Sequence, residues 1–109
     1  MIVHENTWPW GQSLDFIADG GHGCVSVSFE KSNPGVAYIS GLSVIPQYRK
    51  NGIATRLLKH CEDECKSRGI FRIDLNSVTE PFVVSFYEKH GFTRIREQDD
   101  LILMYKIIR

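Results

Sequence analysis

From Cys24 to Glu30 the chain alternates apolar and polar residues at period two, as a strand with one buried face does. Val36 to Ile45 is rich in β-formers and is closed by Pro46, which predicts a second, longer strand. The period then changes. Ile53, Leu57, Cys61 and Cys65 recur four apart with Leu58 beside them, the buried stripe of a helix over about 52–68, and Gly69 is placed as its C-cap. Ile70 to Asn76 reads as a strand whose position after a helix predicts parallel pairing with 36–45. A second helix opens near Thr79-Glu80-Pro81, where proline is tolerated in the first turn, and closes at His90-Gly91. Phe92–Arg96 and Leu101–Ile108 form a terminal hairpin around residues 97–100.

Upstream, Ser13 to Ala18 is a strand joined to 24–30 by the glycine-rich turn 19–23, and Ser32-Asn33-Pro34-Gly35 makes the next turn. Residues 1–12 form an atypical segment, with Ile2-Val3-His4 as a short strand and Trp8-Pro9-Trp10 as a turn with two aromatic anchors. The expected order is β-β-β-α-β-α-β-β. That is an α+β fold in which a mixed sheet of six to seven strands carries two main helices. No repeat or linker interrupts it, so residues 1–109 are expected to form a single domain.

Composition narrows the function by exclusion. Thirteen basic and thirteen acidic side chains cancel, so no global field draws the chain to nucleic acid or an anionic membrane. No apolar run approaches the roughly 20 residues of a membrane span, and the first residues lack a signal-peptide pattern. Three cysteines, Cys24, Cys61 and Cys65, cannot all pair internally, which favours a reducing cytoplasm. Cys61 and Cys65 extend the Ile53–Leu57 stripe and read as core; no ligand set at zinc-site spacing accompanies them, and no metal is expected.

The candidate chemistry lies between the 36–45 strand and the first helix, in Gln47-Tyr48-Arg49-Lys50-Asn51-Gly52-Ile53-Ala54. Backbone N–H groups of a first helical turn have no partner inside the helix, and the macrodipole is positive there. Gly52 removes a Cβ, Ala54 keeps the turn small, and Arg49 and Lys50 add positive charge. The junction is built to hold a phosphate.

Arg49-x-x-Gly52-x-Ala54 resembles the pyrophosphate arm of the GCN5-related N-acetyltransferases, which use acetyl-CoA. Ser85-Phe86-Tyr87-Glu88-Lys89-His90-Gly91-Phe92 resembles the same family's later signature, in the right order and at about the family's separation. The resemblance covers roughly residues 13–109. Family members usually begin with a strand and two helices that help build the acceptor side, where here only about a dozen residues stand. The resemblance implies a GNAT-like fold and an acetyl-CoA-dependent N-acetyltransferase that moves an acetyl group to a primary amine by direct attack. Leu42, Ser43 and Val44 would pair with the pantetheine arm, and Arg49, Lys50, Asn51, Gly52, Ile53, Ala54 and Thr55 would hold the diphosphate, Thr55 with a hydroxyl donor. Tyr87 would protonate the leaving thiolate as general acid.

The general base is open. Some relatives carry a glutamate twelve residues before the tyrosine; here that position is Leu75, and Asp74 and Asn76 beside it face the other way. Glu80 and Glu30 are candidates, and a water relay needs neither. A CoA-binding sensor or scaffold without turnover is the alternative reading; a polyanion-binding domain is disfavoured by the zero net charge. His60 and His90 read as solvated, and His22 as a residue within reach of substrate. Trp8 and Trp10 either cover the sheet or sit in a homodimer contact. The acceptor itself is not encoded in any motif.

Overall fold

A computed structural model describes residues 1–108. Seven strands and two helices follow the chain as β1 (Ile2–Trp8), β2 (Gly11–Ile17), β3 (Gly23–Glu30), β4 (Val36–Val44), α1 (Ile53–Ser67), β5 (Arg72–Val78), α2 (Pro81–Lys89), β6 (Thr93–Gln98) and β7 (Leu101–Ile107). They form one sheet in the order β1-β2-β3-β4-β5-β7-β6. Only β4 and β5 run parallel; every other pair is antiparallel. The α+β class, the mixed sheet and both helices stand as the periodicity predicts.

One expectation is corrected. The N-terminal segment is not a three-residue strand but the seven-residue edge strand β1, paired along its whole length with β2 from Ile2↔Ile17 to Trp8↔Gly11. Four strands therefore precede α1, giving the order β-β-β-β-α-β-α-β-β.

The core lies on one face of the sheet. Directly opposed residues share a face, and Val27 opposes Ile39, Ile39 opposes Leu75, and Leu75 opposes Met104, all of them buried. Leu57, Leu58, Cys61 and Cys65 of α1 and Val84 and Tyr87 of α2 join the same cluster, so both helices cover that face. Lys106, opposite Ile73, confirms the placement by donating to Glu62 of α1 at 2.8 Å. The stripe of α1 is thus core, as its spacing predicts. The other face carries Ser26, Tyr38, Asp74, Asn76 and Tyr105, none of them buried.

Two irregularities set up the site. Ser26 of β3 opposes Gly41 of β4 while Val27 opposes Ile39, so Ser40 is an extra residue, a β-bulge. Beyond it Leu42 and Val44 return to the core side, opposite Val25 and Gly23. The parallel pairing of β4 with β5 stops at Ile39↔Leu75, so residues 40–44 lie beside β5 without a ladder.

Candidate functional site

A cavity of about 800 Å³ opens where β4 and β5 part. One wall is the free side of β4 at Leu42, Ser43 and Val44. The end wall is the loop into α1, with Tyr48, Arg49, Lys50, Gly52, Ile53, Ala54 and Thr55. The far wall is α2, with Glu80, Phe82, Val83, Phe86 and Tyr87. Eleven of the twelve site residues expected from the sequence line it. Asn51 is the exception: its side chain turns back to donate to the Tyr48 carbonyl at 3.2 Å.

The end wall explains itself locally. A one-turn 3₁₀ segment, Pro46–Tyr48, follows β4, and Arg49 folds back so that its Nε donates to the Val44 carbonyl at 3.2 Å. Lys50 and Gly52 then take left-handed backbone angles, φ 69° and 75°. Gly52 is the N-cap of α1 and no side chain caps the first turn. The first helical bond is Arg56 N–H to the Gly52 carbonyl, and among the described residues the N–H groups of 50–55 have no backbone partner. A Cβ on Gly52 would meet only the tip of Arg56, 3.2 Å away. The result is a row of unpartnered donors with two cations, Arg49 and Lys50, at its mouth.

The far wall brings in the only acid of the lining, Glu80, at the N-cap of α2, and Tyr87 one helix face along. Tyr87 is 8% exposed, edge-on to Phe86 and Phe92. Burial pushes its phenol above the usual tyrosine value, so it stays a proton donor.

Several residues behave otherwise than the sequence suggests. Glu30 is on a small groove with Tyr38 and Asp74, outside the cavity. His22 stacks on the Tyr48 ring with centroids 3.5 Å apart. His90 is half-buried and bonded to Thr55 and to the Phe86 carbonyl. Leu75, by contrast, is as its sequence position implies: it offers no base and is 2% exposed in the core. Sequence reasoning missed Tyr48, Phe82, Val83 and Phe86. The last three fall on the Tyr87 side of α2 at positions one, four and five apart, a pattern that was there to be read.

Residues 18–92 match the model of the acetyltransferase (GNAT) family. The chain belongs to that family. The N-alpha-acetyltransferase 30 of Schizosaccharomyces pombe is 40% identical over 60 residues, 54% of this chain and 40% of that protein. The PaiA N-acetyltransferase of Thermoplasma acidophilum, solved in complex with coenzyme A, superposes with a TM-score of 0.76 at 25% identity, over 87% of this chain and 59% of that one. Tetrahymena GCN5 shares the fold, with a TM-score of 0.70 at 19% identity over 94% of this chain and 71% of that one. This GNAT chain therefore spans less than two thirds of the first two relatives. Among the described residues no helix is long and apolar enough to cross a membrane, and no group of metal-ligating side chains gathers.

Proposed function

We propose that this family member, acting as one domain over residues 1–109, transfers an acetyl group from acetyl-CoA to a primary amine by direct attack. The observation that carries the proposal is a single cavity joining an unpaired strand edge, an anion-binding helix start and a buried phenol. The coenzyme A complex of the archaeal relative supports the donor, and the name of the yeast relative makes a polypeptide α-amine the first acceptor class to test.

The thioester supplies an activated acetyl carbonyl and a thiolate leaving group. The backbone of Leu42–Val44, without a ladder partner in β5, pairs with the extended pantetheine arm as an added strand would. The same segment orients the carbonyl and answers the negative charge that develops on its oxygen. The N–H groups around Gly52–Thr55, with Arg49 and Lys50, hold the diphosphate. Tyr87, kept protonated by burial, gives its proton to the departing sulfur. Glu80 is the one carboxylate on the lining and is exposed there, so it is the base within the cavity, directly or through water.

Tyr87→Phe tests the assignment and separates turnover from mere binding. Loss of a general acid lowers kcat about 10²-fold or more while calorimetric affinity for acetyl-CoA stays within about twofold. Because burial raises the phenol, the wild-type rate holds through neutral and mildly alkaline pH and falls only above about pH 10, where the acid form is lost. Unchanged kcat in the variant removes Tyr87 from the chemistry. Binding of acetyl-CoA with no thiol release across peptide α-amines, polyamines and small amines supports the sensor reading instead.

A further inference from the structure

His90 stands at the C-cap of α2, and the chemistry above gives it no part. It is half-buried, with its ring tilted against Phe86 at 4.4 Å between centroids. Its Nδ1 lies 2.7 Å from the Phe86 carbonyl oxygen. A carbonyl oxygen only accepts, so Nδ1 carries the hydrogen. In the neutral ring Nε2 then offers a lone pair, and the Thr55 hydroxyl, 3.1 Å away, donates to it. Thr55 belongs to the first turn of α1 and lines the cavity. Its one hydroxyl proton is thus committed to His90, and it has only lone pairs left for the cavity. That is the wrong polarity for a phosphate oxygen.

A single event reverses it. When the imidazole takes a second proton, Nε2 becomes a donor, Thr55 Oγ accepts from it, and the hydroxyl proton is freed to point into the cavity. We propose that binding of an acyl-CoA diphosphate at the start of α1 is coupled to uptake of one proton by His90, with Thr55 as the relay that turns the ring's charge into a donor for the anion. His90 is in this sense a positioning residue, acting through Thr55, and the inference rests on the cavity being the acyl-CoA site.

The charged groups on the surrounding elements leave this role to the ligand. On α2, Glu88 pairs with Arg94 of β6, and Lys89 precedes His90 in the chain. On α1, Lys59 pairs with Asp63, and Arg56 donates to the Asn51 carbonyl. On β7, Lys106 pairs with Glu62. Arg49 and Lys50 line the same cavity as Glu80, on a different wall. A bound diphosphate beside Thr55 adds negative charge next to the ring and an acceptor for the freed hydroxyl, both of which favour the charged imidazole, so the proton comes with the ligand.

Dephospho-CoA is the probe, because it keeps the diphosphate and lacks the 3′-phosphomonoester, whose own titration near pH 6 would mask the effect. Calorimetry in buffers of different ionisation enthalpy counts protons taken up, and titrations from about pH 8 to 5.5 read the affinity. The wild type is expected to take up a proton on binding within this range and to gain affinity as pH falls, by at most about tenfold per unit. His90→Phe is expected to show no uptake. Thr55→Val changes an exposed position, keeps the imidazole but not the relay, and is expected to show less uptake than wild type. Binding without proton uptake in the wild type overturns the proposal, as does unchanged uptake in either variant. No binding of dephospho-CoA at any pH overturns the reading of the cavity itself, and this proposal with it.

Discussion

Gly52 offers a test in which stability and binding move in opposite directions. Its backbone is left-handed, φ 75° and ψ 10°, and a Cβ there meets only the flexible end of Arg56. Asparagine and aspartate are the non-glycine residues that tolerate this region best, so Gly52→Asn and Gly52→Asp share a conformational cost of about 1 kcal/mol. They are nearly isosteric and differ by one charge. At the N-terminus of α1 that charge favours the helix by about 0.3–1 kcal/mol, so the aspartate variant should be at least as resistant to denaturant as the asparagine one. Against a bound diphosphate the same charge repels. One or two phosphate charges at about 5 Å, in an effective dielectric of about 40–80, cost about 1–3 kcal/mol. That weakens acetyl-CoA binding about 5- to 150-fold relative to asparagine. Calorimetric titration and urea unfolding of the two variants read both signs, and added salt should shrink the difference in affinity. Equal affinities for the two variants would refute the placement of the diphosphate at this turn, whatever their stabilities.

Two further predictions follow from burial. Leu75→Glu, which restores the carboxylate some relatives carry, puts an unpaired acid at a 2% exposed core position and should cost several kcal/mol in denaturant unfolding without raising the rate; a faster enzyme would show that the cavity reaches this residue. Thiol titration of the native protein should find one fast-reacting cysteine, Cys24, with Cys61 and Cys65 reacting only on unfolding, since both are fully buried and the hydrogen bond to Cys65, together with burial, pushes the Cys61 thiol far up. Fast modification of more than one thiol would contradict the packing of α1.

What the sequence made legible was whatever a short window encodes. The four-residue spacing of Ile53, Leu57, Cys61 and Cys65 fixed α1 and its buried side because one helix face is all that pattern reports. The open backbone at the start of α1 was legible because Gly52 carries no Cβ, whereas its left-handed angle, φ 75°, appears only in the folded chain. Strand β1 was not, since it is an edge strand exposed along nearly all its length, and its Ile-Val-His-Glu-Asn-Thr-Trp run has no buried alternation to betray it. Its existence comes from pairing with β2, which no window of residues 1–12 contains. The same reason hid the Thr55–His90 bond, whose members are 35 residues apart and meet only because α1 and α2 pack on one face of the sheet.

The position of the site follows from one inserted residue. Had Ser40 taken a regular place in the ladder, the alternation of β4 would carry Leu42 and Val44 to the face occupied by Tyr38, away from both helices. The bulge restores them to the core side and bends the strand as it does so, at the level where the ladder to β5 ends. Two parallel strands that part in this way leave an apolar-walled gap at their C-terminal ends, with one strand's backbone groups free of the other. The connection that leaves β4 must also return by a helix, and the start of that helix necessarily lies at the same end of the sheet. Unpaired strand edge and anion-binding helix start are thus two consequences of a single topology. An acyl-CoA fits that pairing for the same reason: its amide-bearing arm and its charged head are joined in one molecule.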